Sequence, residues 1–458
     1  MIFNVSMDII YSQWITGFGV TLLMIQQGII GGMVSPLLAK LTAEDSPIFL
    51  DADEASWVAS LINIGRLAGA LIGSIATVYF GTKRSIFVTS IPIAIGWLCI
   101  AFANKVAILY VGRISSGIGV GMVFSTFPLY LGEVAMPQIR GAVVSFAILG
   151  TPIGQMLGSV ASSYLTLMAS SAIYLGLCIV LAIIFLFLPE SPHYFLKVGD
   201  RVSAEKSISW YRCGNGVQEE LDTVEKLVSS ESSIKFIDRL SELKKPEIRK
   251  AISQVIILFV FMQITGVNSV MFYMESILKK AKCTIVSPAD VVIYINLCAA
   301  IATTVSIFLI DKYGRKFLLL LSSSGITISM IMMASHFFLI GNNVNVTNSQ
   351  WLPITSMLLY MIFFFIGLMP VPSTILSETI PSNVKSIAAC ISSFTAGITS
   401  FLSTKSYQPL VILMGDSYIF LIYAVLAVFV IPYTLFVMLE TKGKTLQQIQ
   451  DEFVRGKK

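Results

Sequence analysis

Charge is what this 458-residue chain has least of: 12% of its residues are Asp, Glu, Lys or Arg, while 55% are hydrophobic. A soluble globular domain carries about 25% charged residues. Half that supply cannot cover a folded ball in water, so the composition points to a polytopic membrane protein. Histidine is nearly missing as well, and His193 and His336 are too few and too far apart for a metal site. The six cysteines, Cys99, Cys178, Cys213, Cys283, Cys298 and Cys390, have no CxxC spacing. They read as unpaired packing residues, since metal and disulfide frameworks need close or regular spacing. No Gly-rich nucleotide-binding loop is present, which argues against a pump. No cluster of His, Cys or carboxylate falls at cavity depth, which argues against an enzyme. No metal, cofactor or nucleic acid is expected. The N-terminal stretch MIFNVSMDIIYSQW lacks a basic region and a small-residue cleavage site, so the first apolar helix is expected to be its own insertion signal.

What the chain does have is apolar runs, each close to the roughly 20 residues needed to cross a bilayer. They fall near 14–38, 57–79, 86–103, 107–131, 142–164 and 167–188, then 251–278, 291–311, 317–340, 352–377, 386–412 and 417–439. Between the two sets of six, residues 193–250 hold 11 Lys/Arg and 10 Asp/Glu in 58 positions. The stretches DRVSAEKSISWYR and QEELDTVEKLV have the spacing of short amphipathic helices. The expected organisation is an all-α membrane protein of twelve transmembrane helices. It has a six-helix bundle at 1–192, linker helices at 193–250, a second bundle at 251–439 and a tail at 440–458.

Lys and Arg in the loops set the orientation. With a cytoplasmic N-terminus, the inner loops own Lys83, Arg84, Arg140, the basic linker, Lys312, Arg315, Lys316 and Lys385, and the tail adds five more cations. The outer loops keep Lys40, Lys105, Lys279, Lys280 and Lys282. Both termini are therefore expected in the cytoplasm. The sequon at Asn345 then falls outside, where it can be glycosylated, and the one at Asn4 falls inside.

Two charged stretches, VYFGTKRSIF (78–87) and LIDKYGRKF (309–317), each link the second and third spans of a six-helix half. Such a repeat marks the duplicated unit of the major facilitator architecture. Seven features line up in order: GTKR, GRISSGIGVG, PLYLGEVAMPQIRG, PESPHY, QITGVNSVMFY, DKYGRK and ETKGKTL. Together they resemble the sugar porter family of the major facilitator superfamily, over nearly the whole chain. The likeness is greatest to insect trehalose-transporter-like sequences, through TKSY (404–407) and the SPLL end of the first span.

The resemblance implies a facilitator that moves a sugar across the plasma membrane by alternating access, working as a monomer in the bilayer. It assigns Gln155, Gln263, Asn268, Asn296 and Phe272 to the substrate site. Amides suit a sugar, because its hydroxyls both donate and accept, and an amide answers both without a trapping charge. Gln263 and Asn268 are five apart, about 140° around an ideal helix, so they share a site only if the seventh helix breaks, and Gly266 suits a break. The resemblance also implies a cytoplasmic gating network of Glu133, Arg140, Glu190, Arg315, Lys316, Glu378 and Lys385. Gly117 and Gly121 form a small-xxx-small pair for close helix approach.

Departures from the family pattern are equally readable. GLMPVPSTI puts Ser373 in the usual Trp place, Phe365 stands where glucose facilitators carry a carboxylate, and Ala396 and Gly397 fill the usual Asn-Trp positions. The first Gln of the seventh-span pair is Met262, and Thr82 replaces an Arg in the first charged turn. A roomier or more apolar site is expected, with room for a disaccharide. Arg66 lies mid-span, where an uncompensated charge is expensive, and is expected to face the cavity or a neighbouring helix. Arg113 matches an Arg that pairs with a first-helix Asp in proton-coupled relatives, but Val34 stands at that place here. Facilitated diffusion follows, with a proton–sugar symporter and a non-transporting sugar sensor as rivals. The short tail from Glu440 argues against the sensor.

Overall fold

A computed structural model describes residues 7–455 apart from 45, 47, 137, 138, 215, 234–241 and 445. Every regular element among the described residues is helical. In a bilayer a backbone without water must satisfy its own polar groups, and a helix does so within one segment. Twelve helices are long and apolar enough to cross. In order they are Ser12–Leu41, Ala52–Phe80, Thr82–Ala101, Val106–Val134, Val143–Tyr164 and Leu167–Phe187, then Pro246–Lys280, Pro288–Ile310, Arg315–Gly341, Thr347–Thr379, Ile387–Met414 and Asp416–Val437. The chain is thus an all-α protein of twelve spans in two sets of six. Phe187 and Leu413 stand 81% and 80% exposed, which acyl chains tolerate and water does not.

Packing groups the chain into two compact units. The first comprises Met1–Ile30, Ile64–Gly154 and Leu165–Phe236. Its second and fourth spans touch backbone to backbone: a Cβ on Gly65 would lie 2.2 Å from the Ile114 carbonyl oxygen, and one on Gly121 2.2 Å from that of Arg66. Gly121 therefore does what the small-residue spacing implied. The helices Pro192–Lys197, Arg201–Arg212 and Val217–Ser233 fold over a small core of Ala204, Ile208 and Leu221. They are pinned to the spans by polar ties. Tyr211 donates to the Pro189 carbonyl at 2.9 Å, and its hydroxyl lies 2.9 Å from that of Tyr130. Arg212 reaches the last carbonyls of the fourth span at Val134, at 3.2 Å, while pairing with Glu220 at 2.5 Å. Burial pushes the Tyr211 phenol well above its ordinary range, so it acts here as a neutral bridge.

The second unit comprises Gly31–Asn63, Gln155–Tyr164 and Ile237–Lys458. It thus joins the C-terminal spans to the ends of the first, second and fifth spans that lie away from the linker. Its seventh and tenth spans are interrupted within their length, and its twelfth ends in a π turn over Tyr433–Val437. The seventh stops at Ile264 and restarts at Val267, with Gly266 between them in the left-handed region at φ +87°. Glycine adopts that conformation without the steric cost of a Cβ. The tenth opens into a wide π turn over Phe364–Leu368, where the Met369 N–H reaches back to the Phe364 carbonyl. The turn sits directly before Pro370, whose ring would crowd the carbonyl four residues back in a regular helix.

Candidate functional site

The break in the seventh span makes the first polar cluster. Because the chain turns at Gly266, the Asn268 amide donates to Gln263 Oε1 at 2.6 Å. The same Asn268 nitrogen donates to the Ser400 hydroxyl at 2.7 Å, and that hydroxyl donates in turn to Asn63 Oδ1 at 2.9 Å. Three spans, the second, seventh and eleventh, are tied by this relay. Its far end is open: Asn63 is 3% exposed, and its Nδ2 has no partner among the described residues. The carbonyl of Thr265, orphaned by the break, accepts from the Tyr360 hydroxyl at 3.2 Å. Phe272 is buried one turn beyond Asn268, on the same helix face.

A second cluster joins Asn296 to the fifth span. Asn296 Nδ2 donates to the Ser159 hydroxyl at 2.7 Å, and that hydroxyl reaches the carbonyls of Gly32 and Gln155, both at 3.0 Å. Gln155 is 8% exposed, and its Oε1 lacks a partner among the described residues. All five residues assigned to a substrate site thus fall in the second unit, four of them in the two polar clusters. Asn63, Ser159 and Ser400 were missed. Asn63 was detectable by the criterion that exposed the others, a polar side chain inside an apolar run.

One end of this unit is laced by charged and polar contacts. Lys405 Nζ lies 2.5 Å from Asp53 Oδ1 and 2.7 Å from Ser56 Oγ, and sits 4.3 Å over the Trp57 ring. Ser35 Oγ accepts from the Glu275 backbone N–H at 2.9 Å, and the Tyr164 hydroxyl bonds to Asp290. Glu275 is itself buried at 6% exposure, with one oxygen 2.9 Å from Lys279 and the other unpartnered among the described residues.

The residues expected to form a gate fall into two stations, one per unit. In the first, Glu190 accepts from the backbone N–H groups of Lys83 at 2.7 Å and Arg84 at 3.0 Å, where the third span begins. Thr82 donates to Glu133 at 2.9 Å. In the second, Glu440 accepts from Arg315 and Lys316 N–H at 3.1 and 3.0 Å, where the ninth span begins. Arg315 pairs with Glu378 at 2.6 Å, and Thr441 donates to the other Glu378 oxygen at 2.6 Å. Burial alone would raise the Glu440 carboxyl; backbone N–H groups of Lys316, Lys442, Arg315 and Thr441 outweigh it and hold it below the ordinary range. Lys385 donates to the Ser377 carbonyl at 2.8 Å, near the end of the tenth span, where a helix dipole favours a cation. The side chain of Arg140 lies outside the described residues. Glu440 was not singled out beforehand, although its motif was.

Of the two intramembrane cations, Arg113 is fully buried, its guanidinium 3.5 Å from the Ile30 carbonyl of the first span. Arg66 is half-buried in the second span, with its backbone against Gly121.

A seventh span broken at a polar cluster, on a duplicated six-helix plan, is the arrangement of secondary transporters of the major facilitator type. The fold agrees: over 95% of this chain and all of the other, it superimposes on a partially occluded, inward-open xylose transporter XylE from E. coli with a TM-score of 0.79, at 20% identity. Residues 9–453 match the family described as sugar (and other) transporter, and the chain belongs to that family. It is 28% identical to the facilitated trehalose transporter Tret1 of Bombyx mori over 450 residues, covering 98% of this chain and 88% of the relative. It is 31% identical to the sugar transporter ERD6-like 6 of Arabidopsis thaliana over 438 residues, covering 94% and 88%. The protein is a sugar transporter, not an enzyme.

Proposed function

We propose that the chain is a facilitative transporter that carries trehalose or a hexose across the plasma membrane by alternating access, driven only by the solute's own gradient. The observation that carries uniport is at Arg113. Its guanidinium meets a backbone carbonyl of the first span, and residues 14–38 of that span contain no carboxylate that could carry a proton. The Tret1 relatives support trehalose. On this reading Gln263, Asn268, Asn296 and Gln155 exchange their mutual bonds for sugar hydroxyls, with Phe272 as an apolar wall. The Lys405–Asp53 and Glu275–Ser35 contacts close the outer mouth and must part for the sugar to enter. The stations at Glu190 and Glu440 belong to the inner gate, to which the family resemblance adds Arg140 and Lys385.

One observation favours proton-coupled symport instead: Glu275 is a buried carboxylate with one oxygen unpartnered among the described residues. Uptake of labelled trehalose and glucose into oocytes, with and without an inward proton gradient, separates the two. Uniport predicts saturable uptake that ignores the gradient, falls at least tenfold in Gln263→Ala and survives in Glu275→Gln. A tenfold fall corresponds to about 1.4 kcal/mol of lost recognition. Accumulation above equilibrium, abolished by Glu275→Gln, establishes the symporter. On this reading both termini lie in the cytoplasm, and Asn345, which is exposed, faces outward. In the same oocytes, a glycosidase-sensitive band lost in Asn345→Gln checks that orientation.

A further inference from the structure

A cavity of about 570 Å³ lies where the seventh span begins, the twelfth span ends and the C-terminal helix Leu446–Arg455 docks. None of its lining residues belongs to the two polar clusters. Its walls differ from one end to the other. At the polar end are the exposed cations Arg249 and Lys250, which follow Lys244 and Lys245 in the stretch LKKPEIRK. Lys250 Nζ is engaged with the last turn of the C-terminal helix, 2.8 Å from the Phe453 carbonyl. Arg249 has no acidic partner among the described residues. The acid on the rim, Glu452, is already neutralised by Lys444, which bonds both its oxygens at 2.7 and 2.8 Å. The lining charges, Arg249 and Lys250 against Glu452, leave this mouth net positive, with Lys245 paired to Glu242 at 3.8 Å and Glu247 between the cations in sequence.

Deeper in sits Gln254, 4% exposed, with an Nε2 that has no partner among the described residues. A buried, unpaired donor is costly and points to an absent acceptor. Beyond it the wall becomes apolar: Ile257 is 37% exposed, Val437 57% and Phe436 74%. The last turn of the twelfth span, Tyr433–Val437, lies at this level, where a helix that crosses a bilayer passes from acyl chains to headgroups.

We propose that this cavity binds one anionic phospholipid. Arg249 takes the phosphate, Gln254 donates to a phosphate or ester oxygen, and an acyl chain runs along Ile257 and Phe436. A soluble anion would satisfy the cations and leave the apolar wall bare. A neutral lipid would cover the wall and leave the positive mouth uncompensated. Basic residues at a membrane surface attract anionic lipids in just this way. The bound lipid would fasten the C-terminal helix to the membrane face.

The test uses the full chain in phosphatidylcholine nanodiscs doped with a diazirine-bearing phosphatidylserine, irradiated and mapped by peptide mass spectrometry. The expected result is adducts on 246–257 and 433–453 at least fivefold above those from a diazirine-bearing phosphatidylcholine. Arg249→Ala and Gln254→Leu each lower that yield at least threefold, while Lys105→Ala leaves it unchanged. Equal labelling by both lipids overturns the proposal in favour of ordinary boundary lipid. Competition by excess soluble glycerol phosphate overturns it in favour of a free phosphate site. Absence of adducts at these peptides also refutes it. The comparison of lipids on the unmodified chain decides the matter even if a variant fails to fold.

Discussion

The two charged turns hold the same backbone with different side chains. Gly81 and Gly314 have φ of 92° and 90° and the same ψ of 167°, and each precedes a helix whose first N–H groups bond a distant carboxylate. Both glycines sit so close to that carboxylate that a Cβ would fall within 3 Å of it. The next residue is where the halves part. Arg315 meets Glu378 as a charged pair, while Thr82 meets Glu133 through one hydroxyl. A carboxylate on a helix N-terminus is thus the shared scaffold, and the ion pair is a separable addition to it.

That separation predicts unequal damage. Glu378→Ala removes the carboxylate from Arg315, which is 7% exposed, and is expected to cost about 3 kcal/mol. Glu133→Ala removes a hydrogen bond from a hydroxyl and is expected to cost about 1 kcal/mol. Thermal unfolding of the two purified variants should therefore rank Glu378→Ala well below Glu133→Ala; equal losses would mean that the charged pair adds nothing. Next in size, Thr82→Arg should rebuild the missing pair with Glu133 and stabilise the folded protein by up to about 1 kcal/mol. If the pair forms in one transport state only, turnover should slow by up to about fivefold. Faster turnover would count against a gating role.

The smallest effect concerns pH. Glu440 is held below its ordinary value, so its contribution is complete above the unfolded glutamate pKa of about 4.3 and is lost as pH falls through the folded value. Glu440→Gln should flatten the fall in melting temperature below that pH and leave its slope near neutrality unchanged. An altered slope between pH 6 and pH 8 would assign the linkage to another group.

Most of the fold was legible because lipid leaves a chain few choices. Long apolar runs must be helices, and charges must gather where the chain turns in water. Gly266 announced the break in the seventh span, and the break brings Gln263 and Asn268 together although an ideal helix would set them apart. Tertiary partners were not legible. Ser400 looks like one of many serines in its span until Asn63 and Asn268 are found on either side of it. Glu440 stood inside a noted motif, yet its partners Arg315 and Lys316 lie 125 and 124 residues earlier. Lys405 was read for its resemblance to relatives, while its Asp53, Ser56 and Trp57 contacts come from a helix that is remote in sequence.

Gly266 also constrains how this sequence can change over generations. A β-carbon there would lie 2.6 Å from the Tyr423 ring, and the left-handed backbone disfavours nearly every side chain independently. Shrinking Tyr423 relieves only the first obstacle, and an Asn, which tolerates the backbone, meets the ring. A descendant that replaced this glycine would need two coordinated substitutions on separate helices, with a broken intermediate between them. Position 266 is therefore closed to single-step drift.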